Sequence, residues 1–450
     1  MSSFILSKKF NSKFKVIKFQ KILNKIIFLF PNFLGIIFSP LIVLFIRVIR
    51  PVVLIRYGLI LSTRIGHFTE NLDLYLCYKK KNLHNSDIKN YNKKIINIFY
   101  CQDVICNKFF LKMLKKEIII FPRFILHWVE QFDTFLDQYI DSKRIHETGC
   151  YNKIDPKSFI SEFPPYIQRD VNGFYNEMPS NFKFTSDQIN IGEKKLKEMG
   201  VDLSKKIVCI YARDDEYLNK TYPNVDWSHH EYREFDIDLF KDTVEYLVKE
   251  NYFVIRVGSL VNKELKIVNK NFLDYSTSGN VSDFLDIFIP YKCHFFISSS
   301  SGIDGFPSIF RKPILWPSLF PLKCIRSSRN NYMASFRHLK FKHNEKKLTM
   351  KEVIKFGLDY CYDSNELEKK KITLCKPSPE EIKMATQDMV EMLDEKKDDN
   401  TNLQNLEKNF KNIFSNSKLN YKEKIAYHLK NQINFKISKK FLQTNEWWLK

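Results

Sequence analysis

The sequence lacks acid where it begins: from Met1 to Thr69 there is no aspartate or glutamate, and the first is Glu70. Glycine is scarce, with 12 in 450 residues, and none falls into a G-x-G-x-x-G, Walker A or G-x-S-x-G arrangement. Those turns let a backbone approach a ligand closely. Without them ATP-dependent phosphoryl transfer, a nicotinamide cofactor and a serine hydrolase elbow have no support. The cysteines, Cys77 through Cys375, are odd in number with no C-x-x-C pair and no Cys/His cluster of metal-ligand spacing. They read as free thiols in a reducing cytoplasm, and no metal site is expected. Zinc-finger spacing, an RNA-stacking aromatic signature and an arginine-rich tract are also missing. The formal charge of +21 is therefore not read as a nucleic-acid footprint.

Apolar residues make up 44% of the chain and aromatics 15%, enough to build buried cores. The length suits two domains with extensions. Lys8, Lys9, Lys13, Lys15, Lys18, Lys21 and Lys25 crowd the first segment, and an uncharged stretch of 21 residues, Ile26 to Ile46, follows. It is long enough to cross a hydrocarbon core of about 30 Å. Pro31 and Pro40 are expected to interrupt it, and positive charge flanks both ends, so the positive-inside rule gives no direction. Residues 1–50 are read as a membrane-associating segment drawn to an anionic surface by its lysines, for which a re-entrant or in-plane anchor with both ends cytoplasmic fits better than a span. That places the body at the cytoplasmic face of the inner membrane as a peripheral or monotopic protein.

Beyond the segment, short apolar runs alternate with helical periods, which predicts an α/β protein with mostly parallel, doubly wound sheets. Strands are expected at Val52–Arg56, Ile95–Cys101 and Glu117–Phe121, with helices at Phe68–Tyr78 and Lys108–Lys116 between them. Residues 51–195 form a first lobe on this reading, its stretch from Asp141 to Asn190 being proline-rich connection. Residues 196–345 form a second, with strands at Lys206–Ala212, Phe253–Val257, Phe272–Tyr275, His294–Ile297 and Pro313–Trp316. Asp236 is placed as the N-cap of a helix from Ile237, a better account of Asp236-Ile237-Asp238 than a metal-binding D-x-D. Residues 346–450 are a helical extension and tail. There Ser378-Pro379-Glu380-Glu381 opens a helix through about Leu393.

Ligands of open parallel sheets bind outside the carboxyl ends of strands, so residues that follow the apolar runs are the candidates. Arg213 and Asp214 end one run and Arg256 another. Ser299, Ser300, Ser301 and Gly302 end a third and open a helix, an arrangement of hydroxyls and N–H groups that suits a diphosphate. His230 and Arg233 lie in the loop after the first run. In the first lobe Arg64, Gly66, His67, Glu70 and Asn71 surround a helix start, where His67 and Glu70 suit acid–base work.

The segments RIGHFTENLDLYL, IYARDDEYL, HHEYREFDI, YFVIRVG, FLDYSTSGNVSDFLDIF and FFISSSSGIDGFPSIFRKPIL, with LTMKEVI and PSPEEIKMA toward the tail, resemble a family of bacterial glycosyltransferases found with surface-polysaccharide genes. The likeness runs from about residue 40 to the tail. It implies two Rossmann-like lobes similar to the GT-B type, a nucleotide-sugar donor in the second lobe and a glycan or lipid-linked acceptor facing the first. No cofactor beyond the donor substrate is implied, and no metal. Glu234, where an amide is expected after the arginine, and the long serine run depart from the pattern. The rival reading is a non-catalytic peripheral membrane protein that keeps a transferase fold.

Overall fold

The computed structural model describes residues 31–83, 93–140, 146, 170, 172–221, 224–361, 363–395, 401–415 and 433–450. The lysine-rich first segment and the connection around Pro156, Pro164 and Pro165 lie outside them. The chain forms two compact units. One holds residues 1–63, 85–106 and 114–156, and the other holds 64–84, 107–113 and 157–450.

In the first unit, β-branched and aromatic residues build strand β1 (Val53–Ile60), which runs parallel to β2 (Lys94–Cys101); β2 in turn pairs in parallel with the short β3 (Ile119–Ile120). The helix Arg123–Asp137, which the sequence reading did not foresee, lays Leu126 and Val129 against Tyr57, Ile98 and Tyr100. Its acids face the same way and are satisfied there: Tyr57 donates to Asp133 and Tyr100 to Glu130. The helix Pro31–Ile49 adds Val43 and Ile46 to this core. Its prolines do not interrupt it. Pro31 stands at its start, where a missing N–H costs nothing. At Pro40 the orphaned Ile36 carbonyl accepts instead from Ser39 Oγ at 3.1 Å.

The second unit contains β4 (Ile207–Tyr211), β5 (Phe253–Arg256), β6 (Phe272–Asp274), β7 (Phe295–Ser298), β8 (Ile314–Leu319) and β9 (Tyr332–Phe336). A small antiparallel pair follows, β10 (Leu339–Phe341) with β11 (Ile372–Leu374), and then β12 (Lys436–Ile437). The large sheet is parallel throughout in the order β12-β9-β8-β7-β4-β5-β6. Strands β5 and β7 are buried at every residue, as central parallel strands are. Val208, Ile210, Phe295 and Ile297 meet Val244 and Leu247 of the helix Lys241–Lys249, and Ile382, Ala385 and Met389 of the helix Pro379–Leu393. The latter carries the expected Ser378/Glu381 capping box. Asp236 caps as expected, accepting from Asp238 N, although the first turn after it, Ile237–Phe240, is a 3-10 helix. Part of the expected connection before Asn190 is helical instead, because Thr185 and Gln188 form a capping box that opens the helix Ser186–Glu198.

The helix Ile65–Lys80, which sequence periodicity assigned to the first lobe, belongs to the second unit. Glycines bring it there. A Cβ on Gly66 would lie 2.9 Å from Gly302 Cα, and one on Gly302 would lie 3.2 Å from Gly66 N. A Cβ on Gly305 would lie 2.0 Å from Thr69 Oγ1. The two backbones touch without side chains between them. Gly305→Ala is accordingly expected to cost about 1–3 kcal/mol by overpacking, read from the denaturant midpoint. Thr69→Ala in the same chain should return part of that loss, because it removes the hydroxyl in the way; strictly additive single effects would show that the two residues do not meet.

Candidate functional site

Counting from β4, the large sheet grows through β5 and β6 to one side and through β7, β8 and β9 to the other. This is the order of a Rossmann sheet, and the crevice for ligands lies where growth reverses, at the carboxyl ends of β4 and β7. Arg213 follows β4 and the serine run follows β7.

The structure joins these two ends. Ser299 N donates to Tyr211 O at 3.2 Å and Ser299 Oγ accepts from Arg213 N at 2.9 Å. Ser300 adopts a left-handed φ of 64°, and its carbonyl accepts from Arg233 Nη2 at 2.9 Å. Burial lowers the pKa of Arg213, and the charge of Arg233 lowers it further. Arg213 and Arg233 thus both meet the serine turn at the switch point, one through its backbone N–H and the other through its guanidinium. Ser301 N donates to Asp304 Oδ2 at 3.0 Å, which also accepts from Trp316 Nε1 at 2.8 Å. Only the 3-10 turn Gly302–Asp304 and the short helix Gly305–Ile309 follow, so the arginines supply more of the positive field than a helix end does. Gly302 faces Gly66.

Other predicted residues are placed differently. Arg256, buried beside β6, donates from Nη1 to Asp274 Oδ2 at 2.8 Å and to the Lys263 carbonyl at 2.5 Å. It braces the loop after β5. Asp214 Oδ2 accepts from Asn262 N at 2.9 Å, while Asp215 Oδ1 accepts from Asn262 Nδ2 at 2.7 Å, so both acids tie the β4 loop to that same loop. His230 lies in the 3-10 helix Ser228–Arg233, and its side chain is outside the described residues. Among the described residues no group of three or more His, Cys, Asp or Glu is placed to hold a metal ion.

The Gly66–Gly302 contact sets the start of the helix Ile65–Lys80 against the serine turn. Arg64 is exposed and lies 5.5 Å from the Trp227 ring centroid. Burial, then Arg64 and Arg326, hold His67 below its ordinary pKa against the pull of Glu70, so its imidazole is mostly neutral at pH 7. Glu70 Oε1 accepts from Ser308 Oγ at 2.6 Å, and Oε2 lies 3.4 Å from Arg326. Asn71 is buried.

Sequence reading missed the network behind Glu70. Ser308 Oγ also accepts from Tyr332 at 2.8 Å and from Arg329 at 3.2 Å. Tyr175 lies between Arg311, 3.8 Å from its ring centroid, and Arg329, at 3.4 Å. Arg311 pairs with the buried Asp73 at 2.6 Å. One signal was available: Asp73 sits in an apolar helical run, and an acid buried there requires a cation.

Burial pushes the Asp304 carboxyl up to about 6, although hydrogen bonds from Trp316 and Ser301 pull the other way. Unfolded, it ionises near the ordinary 3.8. Between the two values the folded protein holds a proton that the unfolded chain has released, so this group's contribution falls as pH rises from about 4 through 6. The stability difference between wild type and Asp304→Asn should therefore move against wild type over that interval by about 2–3 kcal/mol. Denaturation at a series of pH values reads it, and a constant difference would contradict it.

In comparison with known proteins, no family model matches the chain and no curated sequence matches it. Solved structures give distant likenesses. ADP-heptose LPS heptosyltransferase II from E. coli shows 9% identity and a TM-score of 0.32 over 58% of this chain and 84% of that one. A glycosyl transferase family 9 protein from Veillonella parvula DSM 2008 shows 9% identity and a TM-score of 0.34 over 58% and 79%. A variant of the wall teichoic acid polymerase TagF shows 12% identity and a TM-score of 0.23 over 58% and 69%. The functional reading rests on the chain's own residues.

Proposed function

We propose that the chain is a glycosyltransferase that moves a sugar from a nucleotide-sugar donor to a glycan or lipid-linked acceptor of surface-polysaccharide biosynthesis, at the cytoplasmic face of the inner membrane. The observation that carries this reading is the gathering of Arg213 and Arg233 on the serine turn at the β4–β7 switch point. Two guanidiniums gathered at one turn suit an anion that carries more than one charge, as a diphosphate does. The motif resemblance assigns the donor to residues 196–345 and the acceptor side to 51–195, in a two-lobed arrangement similar to the GT-B type.

In the reaction the sugar–phosphate bond breaks and negative charge develops on the departing diphosphate. Arg213, Arg233 and the donors of Ser299, Ser300 and Ser301 favour that charge, which lowers the barrier more than it tightens substrate binding. The acceptor hydroxyl needs a base. His67, neutral near pH 7 and set beside the serine turn by the Gly66–Gly302 contact, takes that role in this reading. Glu70 and Arg326 fix the charge around it, while Arg256, Asp214 and Asp215 hold the loops of β4 and β5.

A thermal-shift series with UDP, GDP, CMP and dTDP tests the reading, because a ligand that binds only the folded state raises the melting temperature. Arg213→Ala and Arg233→Ala should each weaken the stabilising nucleotide roughly ten- to hundredfold, as expected for a charge-assisted contact worth about 1.5–3 kcal/mol. Lysine at either position should restore little. Affinity unchanged in both alanine variants would remove the phosphate role. Ser301→Asp separates stability from binding: an acid at a helix start is tolerated by the fold, so that variant should melt normally and lose the nucleotide-induced shift.

A further inference from the structure

The helix Pro31–Ile49 has two faces that differ in kind. Gly35, Ser39, Val43 and Ile46, spaced i, i+4, i+8 and i+11, are buried against the first unit. A Cβ on Gly35 would lie 1.8 Å from the Phe124 carbonyl oxygen, so here helix meets helix backbone to backbone. Near the far end Arg47 reaches across to Asp133 and Asp137, each at 2.6 Å. The opposite face repeats the same spacing with Phe33, Ile37, Leu41, Leu44 and then Val48, and these stand in solvent at 58%, 48%, 63%, 60% and 67% exposure. Phe38 and Phe45 widen it. A contiguous apolar row of this kind on a folded surface marks an interaction site.

We infer that this helix lies flat in the surface of an anionic bilayer, its Phe33–Val48 row among the acyl chains, and does not cross the membrane. The inference shares the membrane location with the proposed function and is independent of the sugar chemistry. Length and hydropathy alone would allow a span. The buried face forbids it. A spanning helix meets hydrocarbon or other membrane segments all round, whereas this one is bonded along its length to a helix that presents Glu130, Asp133 and Asp137, none of which belongs in hydrocarbon. Charge names the occupant. Arg50 and Lys93 lie together beside the helix, the seven lysines named above precede it in sequence, and no acid occurs before Glu70. That surroundings fits phosphate headgroups, not the equally basic surface of a second copy.

The test uses the full-length protein and Leu41→Glu/Leu44→Glu, two exposed positions where a charge leaves the fold intact. Sedimentation with phosphatidylcholine vesicles containing phosphatidylglycerol should capture the wild type, and the variant should partition at least ~100-fold less. Pure phosphatidylcholine should capture less of the wild type, and added salt should weaken the anionic case. In inverted inner-membrane vesicles from expressing cells, added protease should remove N-terminal and C-terminal tags alike. A protected N-terminal tag would establish a span and overturn the inference. Equal vesicle binding by variant and wild type would overturn it, as would a wild type that stays soluble and forms dimers the variant lacks. The nucleotide-induced melting shift should be the same in both proteins, so failure of the membrane seat leaves the transferase reading untouched, and a missing shift with intact vesicle binding does the reverse.

Discussion

The approach of Gly66 to Gly302 governs the site. Were either residue larger, the helix Ile65–Lys80 would stand off from the serine turn by the width of a side chain, and His67 and Glu70 would move with it. Thr69 and Gly305 repeat the constraint one turn on, where the Thr69 hydroxyl is folded back onto the Ile65 carbonyl at 2.7 Å. Close-packed interiors transmit such steps instead of absorbing them. A helix covalently continuous with β1 of the first unit is in this way built into the second.

What holds the helix beyond that contact is polar. Asp73 and Glu70 are one turn apart, and each is met by a cation more than two hundred positions later, Asp73 by Arg311 and Glu70 by Arg326, with Ser308 between Glu70 and Arg329. Each partner satisfies more than one neighbour, and such a network fixes register better than apolar contacts, which tolerate sliding. It also explains why Glu70 stands in a fixed orientation beside His67.

The strands and helices of the large sheet were legible because their residues obey local rules: continuous apolar runs for β4, β5 and β7, a capping box at Ser378 and an Asx cap at Asp236. The strand-end positions of Arg213 and the serine run followed from the same runs. Two kinds of feature were not legible. The role of Gly66 and Gly302 as each other's contact depends on residues more than two hundred positions apart, and a glycine in sequence announces freedom without naming what uses it. The destination of an arginine is equally hidden: Arg213 and Arg256 end neighbouring strands, yet one lies beside Arg233 and the other is bound by Asp274 of β6. Pro40 misled for a third reason. Its missing N–H is answered by the residue before it, a substitution of donor that periodicity does not register.

The contrast between the two arginines also shows two uses of a guanidinium at a strand end. Of the two acids that follow Arg213 in sequence, Asp214 accepts from Asn262, and Asp215 accepts from Asn262 and Asn219. Burial disfavours the Glu234 anion, as do Asp215 and Glu231, while Arg213 favours it. Arg256 pairs with Asp274 and donates to the Lys263 carbonyl. At the β4–β7 switch point Arg213 and Arg233 both meet the serine turn, while Asp214 and Asp215 brace the loops beside it, so cation and acid are given different tasks by the same short stretch of chain.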